Sequence, residues 1–146
     1  MRLAVQTDYA LRTLMYLANQ KQELTTIASI ASRYAISKNH LMKIAHTLGR
    51  MEIIETVRGR SGGLRLARPA REISIGHIVR ALEDDTNMVE CFRQGGGQCL
   101  ITRSCRLKGI LAGALEAFYA TLDAYTLADL VDGNDELASL FARQAA

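Results

Sequence analysis

All the cysteines of this chain fall in one short segment. There are three, at Cys91, Cys99 and Cys105, and a glycine run at 95–97 separates the first two. An odd number of clustered thiols does not suit a disulfide framework and favours metal or redox chemistry. Thiolates select soft centres such as zinc or iron–sulfur clusters, and either centre needs a fourth ligand. The source of that ligand is the central question at this site.

Four kinds of site are compatible with these cysteines. Buried structural cysteines fit a polar, glycine-rich stretch poorly, and structural zinc requires a fourth Cys or His, whereas all three histidines precede the cluster. A thiol redox switch would use nearby cations to favour thiolate. An iron–sulfur cluster fits best, because glycines let backbone N–H groups approach sulfide and cations offset the cluster's charge. The nearby cations are Arg93, Arg103, Arg106 and Lys108.

Charge is unevenly distributed along the 146 residues, although the net charge is only +3. Residues 33–71 hold nine basic side chains against two acidic ones, whereas from residue 109 onward six acidic side chains face one arginine. A basic third in a chain with an acidic end indicates a polyanionic partner, and we expect nucleic acid.

Other classes of protein are not favoured by the sequence. No nucleophile–base pair, phosphate-cradling loop or paired carboxylates stand out, so we do not expect an enzyme. No uncharged apolar run is long enough to cross a membrane, and Asp8 and Arg12 interrupt the first apolar stretch. A cytoplasmic protein is therefore expected.

Helical patterns in the basic segment predict a helix-turn-helix. One helix is expected near 26–34, and after a turn at 35–36 Ser37 caps a second helix that runs to about residue 51. The apolar residues of the second helix share one face, and its other face is polar and basic. We expect Asn39 to read a base, Lys43 to contact phosphate and His40 to do either. The residues predicted to contact DNA on this helix are Ser37, Lys38, Asn39, His40 and Lys43.

A β-hairpin is predicted directly after the helix-turn-helix, at 53–67. Alternating residues at 53–57 and a short run at 64–66 flank a glycine-rich turn. An ordinary solvated hairpin is the simpler interpretation. The order of helix, turn, helix and hairpin instead favours a DNA-binding wing, whose arginines approach phosphate or a narrow minor groove. The predicted contacts are Arg58, Arg60, Ser61 and Gly62.

The remaining pattern predicts a mainly α fold. A first helix at 7–19 is apolar on more than one face, so both faces should pack. The longest helix, at about 105–125, carries an apolar stripe that predicts a dimer seam. The stripe consists of Leu107, Leu111, Ala114, Phe118, Thr121 and Tyr125, and it is widened by Leu115 and Leu122. Packing within the chain's own core is the alternative interpretation. We predict a winged helix-turn-helix DNA-binding domain at 1–83, a cysteine-bearing cluster-binding loop at 84–105, and a long C-terminal dimerisation helix with short helices at 106–146.

Several motifs resemble the Rrf-type winged-helix regulators, most of which are dimeric transcription factors. The resemblance lies in residues 1–3, 7–12 and the wing at 57–63. Residues 89–92, 105–108 and 125–131 resemble the family's nitric-oxide-sensing repressors. Iron–sulfur-assembly regulators of the family carry a histidine where this chain has Lys108, which argues against that type of site.

The resemblance implies a homodimeric repressor of nitric-oxide detoxification genes that binds a palindromic operator in double-stranded DNA. It also implies a [4Fe-4S] cluster held by Cys91, Cys99 and Cys105, with Asp8 of the partner subunit as fourth ligand. From the residues alone, Asp8 is explained by a favourable charge in the first turn of a helix. A [2Fe-2S] cluster or zinc remains an alternative. The alternative functions are an iron- or redox-responsive regulator of the rhizobial type and a zinc-stapled DNA-binding regulator.

Overall fold

The computed structural model describes residues 2–83, 88–93 and 97–142. In these residues the chain forms the helices α1 (Val5–Asn19), α2 (Ile27–Tyr34), α3 (Lys38–Arg50), α4 (Ile75–Leu82), α5 (Arg106–Asp123), α6 (Leu127–Val131) and α7 (Asp135–Ala142). Strands β1 (Ile54–Val57) and β2 (Gly63–Leu66) lie between α3 and α4, and short 3-10 turns occupy Ala70–Glu72 and Glu90–Phe92. The mainly α fold with one hairpin confirms the predicted fold class.

Helix α1 is central to the core. It contacts α3, β2, α4, α6 and α7, and Ala10 and Leu14 are completely buried. The expectation that both sides of this helix pack is therefore confirmed. The helix begins at Val5, two residues earlier than predicted, because the Ala4 N–H donates to the Glu83 carboxylate at 2.9 Å. A contact between residues so distant in sequence leaves no local capping signal.

The helix-turn-helix follows local capping signals closely. The Thr26 hydroxyl accepts the Ser29 N–H at 3.1 Å to start α2. Ala35 ends α2 in the left-handed conformation, with φ of 53°, and the buried Ile36 anchors the turn. Ser37 then caps α3. The predicted bounds of both helices are correct to within one residue.

Helices α4 and α5 pack at close range. A Cβ added to Gly76 of α4 would lie 2.7 Å from the Asp123 backbone nitrogen, so only glycine fits this approach. The Arg80 guanidinium lies 2.8 Å from the Asp123 carboxylate and 4.2 Å from the centre of the Tyr119 ring. These contacts fix α5 against the domain that carries the helix-turn-helix.

Helix α5 has two apolar faces. Leu115, Phe118 and Leu122 are partly buried and pack on the chain's own core, as the alternative interpretation of this stripe expects. On another face Leu107 and Ile110 are 58% and 67% exposed. Small exposed residues continue that face at Gly113, Ala114 and Ala117. The apolar period of the helix does not distinguish the two faces, because both satisfy the same spacing.

The chain returns to the N-terminal helices through α6 and α7. Thr126 and Asp129 form a reciprocal capping box at the start of α6, and the Thr126 backbone N–H lowers the pKa of Asp129. Tyr16 and Tyr34 meet Phe141 of α7 with ring centres 5.0 and 6.0 Å away. Burial raises the pKa of Tyr34 to about 12, and its hydroxyl donates to the Arg12 carbonyl at 3.0 Å.

No helix within the described ranges has the combined length and apolarity that crossing a membrane requires.

We expect Gly76→Ala to lower the free energy of unfolding by about 1–3 kcal/mol, because the added methyl overlaps Asp123 and forces α5 away from α4. Urea unfolding followed by circular dichroism measures this change. Gly49→Ala in α3 is the control, since its new Cβ meets nothing within 4 Å and should raise stability by up to about 1 kcal/mol. An unchanged midpoint for Gly76→Ala would contradict the close packing of α4 on α5.

Candidate nucleic-acid interface and cysteine site

The predicted DNA-contacting residues of α3 lie on its exposed surface. The Ser37 hydroxyl accepts the His40 N–H at 3.2 Å, which holds the first turn of the helix in place. Leu41, Ile44, Ala45 and Leu48 are buried, so the core fixes the rotation of the helix. The predicted contacts Ser37, Lys38, Asn39, His40 and Lys43 are all exposed.

Two glycines determine the backbone conformation at the tip of the hairpin. β1 and β2 pair antiparallel from Ile54 with Leu66 to Val57 with Gly63. At the tip Gly59 has φ of +115°, and a Cβ on Gly62 would lie 2.2 Å from the Val57 carbonyl oxygen. Both glycines are therefore required by the backbone. The predicted contacts Arg58, Arg60 and Ser61 are exposed, and Gly62 is half-buried.

Two further contacts hold the base of the hairpin. Glu55 and Arg65 form an ion pair across the two strands. Thr25, which precedes α2, bridges to Leu64 through reciprocal backbone hydrogen bonds of 2.9 and 2.7 Å. The hairpin is thus bonded directly to the helix-turn-helix, and its exposed arginines are held in a fixed relation to α3.

Asp8 lies on α1, the helix that packs against α3. The Asp8 carboxylate pairs with Arg12 through two contacts, of 2.7 and 3.1 Å, and both side chains are close to half exposed. Next to Asp8, the Tyr9 ring centre lies 6.1 Å from that of His40. An open cleft of about 330 Å³ between the two helices is lined by Val5, Gln6, Tyr9, His40, Lys43 and Ile44. Sequence reasoning did not indicate the contact between Tyr9 and His40.

The three cysteines line one apolar groove at the start of α5. All three are free thiols; Cys91 and Cys105 are half-buried and Cys99 is exposed. The groove measures about 200 Å³ and is lined by Val89, Glu90, Cys91, Cys99, Ile101, Cys105, Leu107, Lys108 and Leu111. Residues separated by fourteen positions in sequence thus come to one place. Gly95 and Gly96 of the glycine run lie outside the described residues.

Glu90 folds back across the cysteine segment. Its carboxylate accepts the Gln98 N–H at 2.6 Å, next to Cys99. Gly97 has φ of +61°, and a Cβ there would lie 2.7 Å from the Glu90 Cγ. Glu90 therefore joins the two ends of the segment between Cys91 and Cys99. Its role was missed in the sequence because the contact depends on the left-handed backbone of Gly97.

The groove suits a soft metal centre but does not present a complete ligand set. Three sulfur donors with an apolar lining and the Lys108 cation match an anionic iron–sulfur cluster. However, in the ranges 2–83, 88–93 and 97–142 no three Cys, His, Asp or Glu side chains converge at metal-binding distances. Asp8 lies on α1 and is not among the residues that line the groove.

An exposed, capped and basic helix followed by a β-hairpin defines a winged helix-turn-helix transcriptional regulator. Residues 3–133 match the Rrf2 family, described as iron-dependent transcriptional regulators. The chain belongs to this family.

Similar proteins of known name support the assignment to this family. The HTH-type transcriptional regulator NsrR of Bacillus subtilis strain 168 is 48% identical over 141 residues, which cover 96% of this chain and 97% of the relative. NsrR of Geobacillus kaustophilus is 49% identical and covers 96% of both chains. The structure of oxidised Staphylococcus aureus CymR is similar with a TM-score of 0.73 and 28% identity, over 90% of this chain and 97% of that one. Both NsrR relatives are named as transcriptional regulators and not as enzymes, as expected for this chain.

We expect Gly97→Ala to weaken the binding of a reagent that must bond to two cysteine thiols at once. An L-residue with a left-handed backbone costs roughly 1–2 kcal/mol, so the affinity for phenylarsine oxide should fall about tenfold. Titration of the reduced protein measures this. Gly133→Ala is the control, because Gly133 also has a positive φ of +69° but a Cβ there meets nothing within 4 Å. Equal losses in both variants would show that the Glu90 contact does not organise the thiols.

Proposed function

We propose that this chain is a homodimeric DNA-binding repressor that senses nitric oxide through a [4Fe-4S] cluster. The ligands are Cys91, Cys99 and Cys105, together with Asp8 of the partner subunit. The observation that carries this proposal is the meeting of all three thiols in one apolar groove beside Lys108. The motifs around these cysteines resemble those of nitric-oxide-sensing members of the family.

The exposed face of α5 supports a homodimer that adjoins the groove. Leu107 and Ile110 are exposed apolar side chains at the start of the helix, and the small residues beyond them would let a second helix approach closely. Leu107 also lines the cysteine groove. An interface on this face would therefore bring a second protomer next to the thiols, and that protomer can supply the missing donor.

Asp8 is suited to the part of the fourth ligand because its carboxylate is accessible. Among the described residues its carboxylate pairs with Arg12, in a partly exposed pair that contributes little to stability. When bound, the cluster supplies iron that nitric oxide can attack. When it is not a ligand, the Asp8 carboxylate would pair with Arg12 on its own helix, as it does in this structure. Helix α1 packs on α3, which is the proposed recognition helix, and Tyr9 contacts His40. A change in the position of α1 would therefore change the position of α3.

The DNA interface consists of α3 and the wing. Two protomers would place their α3 helices in successive major grooves of a palindromic operator, with half-sites about one helical turn apart. Asn39 is suited to read a base edge, Lys43 to contact phosphate, and the wing arginines to approach the backbone or minor groove.

Anaerobically purified protein should contain iron and sulfide, absorb broadly in the visible range, and lose both its colour and its DNA binding on titration with nitric oxide. Titration with an iron chelator in parallel separates nitric-oxide sensing from iron sensing. A response to the chelator alone would favour the iron-responsive alternative. A colourless protein that contains zinc would contradict the proposal.

Asp8→Ala should shorten the lifetime of the cluster by about tenfold or more, because one iron loses its protein ligand. The decay of visible absorption under a fixed oxygen concentration measures this. Asp135→Ala is the matched control, since Asp135 also lies in the first turn of a helix, α7, and is exposed. Equal lifetimes for wild type and Asp8→Ala would remove Asp8 from the ligand set.

Arg58→Ala should weaken DNA binding across different sequences and flatten its salt dependence. If each wing makes one phosphate contact, the slope of log K against log salt should become less steep by about 0.9 per protomer. Binding isotherms at several salt concentrations measure the slope. Arg71→Ala removes the same charge from the 3-10 turn at Ala70–Glu72, which packs near α6, and should leave the slope unchanged. An unaltered slope in Arg58→Ala would exclude the wing from the interface.

A further inference from the structure

The recognition helix exposes one large apolar side chain. Met42 of α3 is 50% exposed, whereas the other exposed side chains of this fully described helix are polar or charged: Lys38, Asn39, His40, Lys43, His46 and Arg50. The buried face of α3 is already complete without it, because Leu41, Ile44, Ala45 and Leu48 fill the core. Met42 therefore contributes an apolar surface with no partner in the core.

Met42 lies among the residues proposed to face DNA. It follows Asn39 by three positions and Lys38 by four, and residues at these spacings are neighbours on a helix surface. It also lies in the second turn of the helix, and the N-terminal part of a recognition helix is the part that reaches base edges. The flanking Lys38 and Lys43 and the wing arginines favour a polyanion over an apolar protein surface as the partner on this face.

We propose that Met42 is a specificity-determining residue that reads the C5-methyl group of a thymine in the major groove. Most groups that the bases present in the major groove are hydrogen-bond donors or acceptors, and the C5-methyl of thymine is the apolar group among them. A flexible thioether side chain can fit against such a methyl and has no polar group to leave unsatisfied. This inference rests on the proposed function, because it requires that α3 enters DNA.

The test replaces thymine by deoxyuridine, which removes the methyl group and leaves the hydrogen-bonding edge unchanged. A randomised duplex library selected with the anaerobically purified full chain provides the binding sequence. Each thymine of the selected duplex is then replaced in turn, in one half-site and in both. At one thymine per half-site, wild type should bind the deoxyuridine duplex about fourfold more weakly, and about fifteenfold more weakly when both half-sites are changed, as expected for loss of a buried methyl.

Met42→Ala should bind the thymine and deoxyuridine duplexes equally, because the side chain that contacts the methyl is absent. Alanine preserves the helix, and Met42 is outside the core, so folding is not at risk. Lys43→Ala is the matched control. It should weaken binding to both duplexes and leave the ratio of the two affinities unchanged.

The outcomes distinguish this inference from the function on which it rests. Failure of the protein to bind any duplex would overturn both. Binding with no thymine sensitive to deoxyuridine, or a ratio that persists in Met42→Ala, would overturn the role of Met42 and leave the DNA-binding function intact.

Discussion

Helix α1 is packed on several sides at once, and the candidate recognition helix α3 is one of the elements it contacts. Its buried residues Ala10 and Leu14 lie in the core, while the neighbouring Tyr9 contacts His40 on α3. Interiors packed at crystal-like density transmit a displacement instead of absorbing it. A force applied to α1 therefore reaches the recognition helix through one packed interface. Under the proposed function, the accessible carboxylate of Asp8 is the point on α1 at which a second protomer would act.

The wing follows the helix-turn-helix as part of the same unit. The backbone bonds between Thr25 and Leu64 join the hairpin to the segment that precedes α2. The required glycines at the tip, Gly59 and Gly62, restrict the backbone conformations that can present Arg58 and Arg60. Because these bonds tie the hairpin to the helix-turn-helix, we expect a change in the position of α3 to carry the wing arginines with it.

Local signals account for most of what could be predicted from the sequence. Ser37 and Thr26 each bond to the backbone N–H three residues later, so their helices start where the residue types indicate. The start of α1 could not be predicted, because it depends on Glu83. The division of α5 into a core face with Phe118 and an exposed face with Ile110 also required the structure.

The candidate cysteine site was only partly predictable for a related reason. Clustering in sequence indicated that Cys91, Cys99 and Cys105 act together, and Lys108 follows Cys105 by nearly one helical turn, which places it beside the groove. The role of Glu90 depends on a single left-handed glycine, and no residue pattern announces such a contact.

The donors around the cysteine groove favour the proposal that two protomers share the site. Three thiols reach the groove from one chain, while the described part of that chain brings no complete set of ligands together. The carboxylate of Glu90, which also lines the groove, already accepts the Gln98 N–H, so under the proposed function a further donor would come from a second protomer. The groove lies at the end of the exposed face of α5, where Leu107 belongs to both. A second protomer packed on this face would lie beside the groove, so the proposed dimerisation and the proposed completion of the ligand set would occur together. The distance between the two α3 helices would then depend on the chemistry at the thiols.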